Sequence, residues 1–358
     1  MNIHETTRSY ETWMRRRITV VRSDLREKHR LMAEAPFPFL RATFYRWMQL
    51  WPEICPELAK APVVLAVGDL HVENFGTWRD ADGRLNWGVN DFDEVYPLPY
   101  TIDLVRLAAS AYLAIRAEHL TLKPKKACAA LLDGYQEGLR SAGRPFVLAE
   151  HAGWLRELAL SRLRDPKRFW KKLAGLAGER KSLPADARKV LERMLPEPGL
   201  AYRIFHRRAG MGSLGRQRFV ALADWRGGKV AREAKALLPS ACARARAEKR
   251  EAKIYYMDAV RRAVRAPDPF LGVQGRWVVR RLFPDSCRIE IADLPTKRDE
   301  LRIFEDMGRE VANVHLGSAA AIAAVRRDLA RRSGEWLHAT AKAMARATLE
   351  DWMTWRRG

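Results

Sequence analysis

The sequence changes texture at one place, and that change limits what the chain can fold into. Pro196–Gly199 (PEPG) closes a stretch, residues 101–196, whose apolar residues recur at helical spacing between breaks at Pro124, Gly143–Pro145, Pro166 and Pro184. Beyond it the period drops to two. Tyr202–Ala209, Arg216–Ala223, Lys229–Leu237, Arg276–Leu282 and Cys287–Ile291 read as strands, with a glycine-rich turn at Gly210–Gly215. One long helix is expected between the third and fourth strands, from Ser240, a plausible N-cap, to about Val264, ended by Pro267 and Pro269. The flanks are helical by period: 5–33, broken at Pro36–Phe39, then 40–50, 297–315 and 319–348. The exception is 62–93, where the buried-strand run VVLAVG and a DADG turn predict a strand followed by a hairpin. The expectation is an α+β fold in three parts, 1–198, 199–294 and 295–358.

Composition supports a packed globular chain. Of 358 residues, 47% are apolar and 30% charged, which excludes disordered, collagen-like and small disulfide-stapled classes. The formal charge of +22 suits anionic partners: nucleotides, phosphates, nucleic acid or acidic lipid. Cys55, Cys128, Cys242 and Cys287 form no CxxC pair, so neither a zinc site nor a disulfide framework is expected, and a reducing cytoplasm fits. The N-terminus lacks the apolar run of a signal peptide. The uncharged run Val311–Val325 is too short for a membrane span and carries Asn313, His315 and Ser318.

Three constellations carry chemistry. In Gly68-Asp69-Leu70-His71-Val72-Glu73-Asn74 a carboxylate follows a buried strand and a carboxamide comes five residues later. Phosphoryl transfer needs an acid to take the nucleophile's proton and oxygen ligands for Mg²⁺. In Asn90-Asp91-Phe92-Asp93-Glu94, followed by Asp103, acidic side chains crowd one strand end. Unpaired, they would repel and their pKa values would rise, so a divalent cation is an economical partner. A turn rich in capping acids is the plainer alternative. In Gly210-Met211-Gly212-Ser213-Leu214-Gly215 glycines sit between two strands, where backbone N–H groups can approach phosphate. A strand, not a helix, follows these glycines, which excludes a dinucleotide fingerprint. The third strand offers Lys229, Arg232 and Lys235, one of which should reach phosphate, and the long helix offers Glu248 and Glu251 to pair with it. Arg232 and Lys235 leave the strand on opposite faces, because their separation is odd.

GDLHVEN and NDFDE with Pro99 and Asp103-Leu104 resemble the GDxHxxN…DxD[DE]…P…DL signature of aminoglycoside-phosphotransferase-like kinases. KHRLMAEAPFPFLRATFYRW, GDLHVENFG, NDFDEVYPLPYTIDLVRLAAS, GMGSLG and GREVANVHLGS are similar to the bacterial domain-of-unknown-function 2252 family, over residues 28–320. The resemblance implies a two-lobe protein-kinase-like fold and an ATP- and Mg²⁺-dependent phosphotransferase. It implies Asp69 as catalytic base, Asn74, Asp91 and Asp93 as Mg²⁺ ligands, and Asp103 as the anchor of the catalytic loop. It further implies that Gly210, Gly212, Ser213 and Gly215 cover the nucleotide phosphates, with Arg232 or Lys235 as the cation beneath. The acidic segments precede the glycine loop here, the reverse of the ordinary kinase order, so a circular permutation is expected: 1–198 as helical large lobe, 199–294 as small lobe, 295–358 packing on the large lobe. Where the related pattern has Lys-Glu-Ala this chain has Arg232-Glu233-Ala234. An adenylyl-transferring or inactive relative therefore stays open, and the acceptor is unidentified, with an anionic one suited to the cationic surface.

Two other classes compete. GDxH after a strand also opens the two-metal phosphoesterases, but their further GNH and GHxH segments are missing and the eight histidines do not cluster. A basic nucleic-acid or protein-binding module accounts for the charge but not for the acids between Asp69 and Glu94. Its mark is a continuous cationic face, whereas a kinase sets a few cations opposite an acidic pocket. The run from Ala243 to Lys253 (ARARAEKREAK) is basic but without aromatics, which suits a solvated helix face.

Overall fold

The structure is a computed structural model that describes residues 1–117, 122–162, 165–176, 183–246, 252–286 and 297–358. It is mixed α+β, with helices predominating and three antiparallel sheets among the described residues. Four helices lead: α1 (Ile3–Arg15), α2 (Arg22–Glu34), α3 (Pro36–Ala42) and α4 (Phe44–Ile54). The single helix expected over 5–33 is thus two. Val20 forms a bridge to Arg216, and the Val21 N–H donates to Gly215 O at 2.8 Å, so a contact nearly 200 residues away in sequence interrupts the helical period. Pro36 does not merely break the helix but opens α3 from its first turn, where a missing N–H is harmless.

Strands β1 (Val63–Ala66), β2 (Phe75–Arg79), β3 (Leu85–Val89) and β4 (Tyr96–Pro99) follow. β2 and β3 form the expected hairpin, from Phe75 opposite Val89 to Arg79 opposite Leu85. Its turn is held by the Asp80 carboxylate, which accepts the N–H groups of Asp82 and Arg84. β4 pairs with β1 despite carrying Pro97 and Pro99, as an edge strand can. Then come α5 (Thr101–Ala117), α6 (Pro124–Arg140), the two-residue β5 (Phe146–Val147) that pairs with β3, α7 (Leu148–His151), α8 (Gly153–Arg162), α9 (Pro166–Ala174) and α10 (Ala185–Arg193).

The β-rich block contains β6 (Arg203–His206), β7 (Arg218–Trp225), β8 (Gly228–Ala236), the short helices α11 (Ala241–Ala245) and α12 (Tyr256–Arg262), β9 (Gly272–Gln274) and β10 (Trp277–Leu282). The sheet order is β6-β7-β8-β10-β9. Five strands are present, but the one not expected is Gly272–Gln274, which precedes β10 and pairs with it across a tight turn at Gly275. Cys287–Ile291 lies outside the described residues, as do Glu248 and Glu251. The long helix expected from Ser240 is not continuous: Ser240 does cap α11, accepting from the Cys242 N–H, but the turn closes at Arg246. Helices α13 (Lys297–His315), α14 (Ala319–Arg331) and α15 (Trp336–Arg357) complete the chain. The last two were expected as one and are separated at Ser333–Gly334.

The main core is helical. α6 and α13 pack in backbone contact: a methyl at Gly134 would stand 1.9 Å from Glu305 O, and one at Gly308 would stand 2.1 Å from Leu131 O. Leu104, Tyr135, Phe304, Met307 and Val311 are fully buried around this junction. The five-stranded sheet has its own packing. Ala187, Val190 and Leu191 of α10 cover one face through Phe219, Ala221, Ala234 and Trp277. On the other face, Phe169 and Leu173 of α9 cover Val220, Leu222, Ala231 and Leu282. So α9 and α10, on the N-terminal side of the boundary expected at 198, pack on the sheet. The rest of that second face is charged: Arg218 stands opposite Lys235, and Glu233 opposite Arg280. Among the described residues, no helix is long and apolar enough to cross a membrane. Cys55, Cys128 and Cys242 are free and buried.

Candidate active site

The end of β1 turns sharply at Gly68, whose φ is +80° and whose missing side chain leaves room for Glu94 O, only 2.5 Å from where a Cβ would stand. Asp103, in the first turn of α5, fixes that turn. Its fully buried carboxylate accepts the Val67 N–H at 2.7 Å and the Gly68 N–H at 2.8 Å. His315, from the end of α13, meets the same carboxylate at 3.0 Å and is held in turn by the Tyr135 hydroxyl at 2.8 Å. Asp103 therefore anchors the loop and does not enter the cavity.

Asp69 projects from this anchored turn. Its Oδ1 accepts Arg106 Nε at 2.9 Å, and the Arg106 guanidinium, wholly buried, also donates to Leu40 O and lies over the Phe44 and Trp47 rings. Oδ2 lies toward the glycine loop, 3.4 Å from where a Gly212 Cβ would stand. Burial pushes the Asp69 carboxyl above its ordinary range and the Asp91 charge adds to this, while Arg106 and Arg41 oppose it. Asn74 joins the two acidic segments: its Oδ1 accepts the Asp91 N–H at 2.9 Å, and its Nδ2 donates to Asp69 O at 3.2 Å and Asp91 O at 3.1 Å.

Cations from the sheet answer the acids. Lys235 Nζ lies 2.6 Å from Asp93 Oδ1 and 3.3 Å from Asp91 Oδ1. Arg216 bridges Asp93 Oδ2 at 3.0 Å and Glu94 Oε1 at 3.2 Å. The other oxygen of Glu94 accepts the Ala241 N–H at 2.6 Å. Burial raises Asp91, yet Lys235, Arg280 and Arg218 outweigh it and hold its carboxyl below the usual range. Asp93 shifts upward, through burial and the neighbouring Asp91 charge. Burial likewise lifts Glu94 to about 7.

The glycine loop closes the site. Gly210, Met211, Gly212 and Ser213 line a cavity of about 60 Å³ together with Asp69, Asn74, Asp91 and Asp93. Lys28 of α2 holds the loop down, donating from Nζ to Gly212 O at 3.0 Å. Its amine falls to about 8 through burial, with Arg216 repulsion adding to it. Ser213 Oγ accepts Arg218 Nη2 at 2.8 Å. Arg218 also pairs with Glu233 at 2.9 Å, and Glu233 collects Arg280 at 2.8 Å and Arg207 as well. Three guanidiniums on one buried carboxylate make a net positive cluster that reaches the cavity lining through Ser213.

Not every expected residue is here. Arg232 lies on the opposite face of the sheet, where it donates to Met194 O at 2.7 Å and lies over Phe270, so it does not meet Asp91. Lys229 pairs with Asp224 at the far end of the strand. Gly215 is a turn glycine, φ +96°, packed on Leu25 rather than lining the cavity. Arg41 pairs with Glu73 and also lines the cavity. The reading from residues did not single out Arg106, Arg216, Arg218 or Arg280. Arg106 had a usable signal, a lone cation within the apolar helix TIDLVRLAAS.

The donor set bears on Mg²⁺. Among the described residues, no group of three or more His, Cys, Asp or Glu side chains is arranged to hold an ion. Asp91 and Asp93 offer two carboxylates, and Asn74 Oδ1 is already engaged by a backbone N–H. That set suits Mg²⁺ shared with substrate phosphates, which needs only one or two protein carboxylates, and not a cage built by protein alone.

A family model described as "Uncharacterized protein conserved in bacteria (DUF2252)" matches residues 17–151 and 159–358. No curated protein and no solved structure matches.

Proposed function

We propose that this chain, which belongs to the bacterial DUF2252 family, is a kinase-like phosphotransferase that moves the terminal phosphoryl group of ATP, with Mg²⁺, to a hydroxyl of an acceptor. The observation that carries this reading is the convergence of GDLHVEN, NDFDE and the glycine loop on one cavity, with the third-strand Lys235 on Asp91 and Asp93. In this reading the fold is a circularly permuted two-lobe kinase, with the five-stranded sheet as the small lobe.

Each residue then has a task. Asp69 takes the acceptor's proton as the new O–P bond forms and the bond to the ADP oxygen breaks. Arg106 fixes its orientation, and its raised pKa makes it a better base than an exposed aspartate. Asp91 and Asp93 would hold Mg²⁺, which when bound neutralises phosphate charge. Lys235, Arg218 and Arg280 supply a cationic wall for the phosphate oxygens. A cavity of about 60 Å³ takes a few waters, not a nucleotide, whose sites run to roughly 300 Å³ or more. The glycine loop therefore lifts from Asp69 when nucleotide enters.

Calorimetric titration with ATP tests this. Wild type should bind only with Mg²⁺, and Asp91→Ala should not bind. Absence of binding at millimolar ATP, with or without Mg²⁺, would overturn the proposal.

A further inference from the structure

The +22 charge is not spread evenly. Two contiguous open hollows lie at the turn between α1 and α2. One, of about 490 Å³, is lined by Arg15, Arg16, Arg17, Arg22 and Arg276, with Ile18, Thr19 and Val20. The other, of about 450 Å³, adds Arg26 and His29 and shares Arg15 and Arg22 with the first. Glu11 is the one acid lining either hollow among the described residues, and it is saturated by Arg15 at 2.9 Å and by His29. The neighbouring Asp24 is likewise committed to His206 and Arg208, and Glu27 to Arg30. The side chains of Arg16, Arg22 and Arg26 are exposed, and their guanidinium groups make no ion pair or hydrogen bond among the described residues.

We infer that this groove binds the phosphate backbone of nucleic acid, without reading bases. Six guanidiniums and no lysine line it, and the planar fork of arginine suits phosphate oxygens. Arg15 is paired with Glu11 and Arg276 lies 3.6 Å from Asp186, while the other four arginines have no carboxylate partner among the described residues, and that density of cations is met best by a ligand of high linear charge. Among the described residues the rings at the groove are already engaged, Trp13 under Arg17 at 4.4 Å and His29 by Glu11 and the edge of Trp355, so no free ring is offered for base stacking. A lipid surface fits less well. Among the described residues the exposed large apolar side chains are Met1, Val63 and Met353, and Met1 is at the other end of α1, about 20 Å from the groove. The groove is separate from the proposed catalytic cavity, because Tyr10 and Lys28 of the same two helices face that cavity instead.

Fluorescence anisotropy with a labelled 30-nucleotide RNA, the matching DNA strand and its duplex tests the inference. The comparison is wild type against the triple variant R16E/R22E/R26E. A second triple variant, R327E/R331E/R346E, changes net charge equally on the exposed surface of α14 and α15. The groove variant should bind at least tenfold more weakly at 100 mM salt, and its log–log salt slope should fall by about 2, as expected for about three lost phosphate contacts to a single strand. The control should change binding less than threefold. Equal losses in both variants would overturn the site, because net charge alone would then explain binding. Binding to phosphatidylglycerol vesicles or polyglutamate in preference to nucleic acid would also overturn it, as would no nucleic-acid binding at 50 mM salt. Melting curves establish that both variants are folded.

Discussion

Replacing Lys235 with methionine tests whether its ammonium stands in the position of a bound cation. The substitution keeps the stem's length and removes only the charge. In the wild type that charge is 2.6 Å from Asp93 and 3.3 Å from Asp91. Breaking a buried ion pair from one side costs roughly 3–5 kcal/mol, because the remaining charge is left uncompensated. Here the lower end applies, since Asp93 keeps Arg216 at 3.0 Å and Asp91 is about half exposed. With an unfolding entropy of roughly 2.1 cal/mol/K per residue over 358 residues, a loss of about 3 kcal/mol lowers Tm by about 4 °C. Mg²⁺ held by the vacated carboxylates at a hundredfold excess over its dissociation constant would return about 2.7 kcal/mol, nearly the whole loss. Thermal unfolding by circular dichroism, in MgCl₂ and in NaCl of equal ionic strength, reads both effects. Wild type should respond little to Mg²⁺ without nucleotide. A variant as stable as wild type, or one rescued equally by NaCl, would refute the assignment: the first because the ammonium was not holding the acids together, the second because screening suffices.

Two further outcomes follow from the site. Asp69→Asn keeps the shape beside Arg106 but cannot take a proton, so Mg²⁺-ATP turnover should fall by a factor on the order of 10²–10⁴ while calorimetric nucleotide affinity stays within threefold; weakened binding would instead make Asp69 a ligand. Lys28 contributes a pH signature, because burial lowers its amine from an ordinary 10.5 to about 8. Between those values the unfolded chain binds more protons than the folded one, so stability rises with pH from about 8 to 10.5. Relative to wild type, Lys28→Met should lose a rise of about 3 kcal/mol over that window, visible as Tm curves that diverge between pH 8 and 10; parallel curves would show that Lys28 is not desolvated in solution.

Local chemistry was legible in the sequence, and long-range partnership was not. The hairpin over Phe75–Val89 followed from alternation and a DADG turn, and the end of α13 at His315 from helical period. The carboxylates of Asp69, Asp91 and Asp93 announced themselves by spacing, because each is on a turn leaving a buried strand. Their partners did not. Lys235 and Asp91 are 144 residues apart, and Lys28 and Gly212 are 184 apart, so no periodicity links them. Strand alternation separated Arg232 from Lys235 but not which face held the site, since that depends on where α10 packs. The errors have the same cause. The break at Arg16–Val21 comes from pairing with Gly215 and Arg216, and β9 is three residues long, so its pairing with β10 supplies an order that its own period cannot.

The proposed function also gives the paired charges of this site a use. Asp91, Asp93 and Glu94 are answered by Lys235 and Arg216, and Glu233 is over-answered by three arginines. Each acid is thus neutralised by a cation that a polyphosphate would also attract. In the proposed reaction, Lys235, Arg218 and Arg280 would exchange carboxylate for phosphate oxygen, and Asp91 and Asp93, vacated by Lys235, would become available to Mg²⁺. Such an exchange would keep these charges partnered and so avoid the several kcal/mol that one uncompensated buried charge costs. The same logic applies to the loop. Ser213 is tied to Arg218, and Arg218 to Glu233, so drawing Arg218 toward phosphate would loosen the hold on the loop that the proposed function requires to lift. On the proposed function, nucleotide entry and opening of the cavity would thus be coupled through one side chain, Arg218.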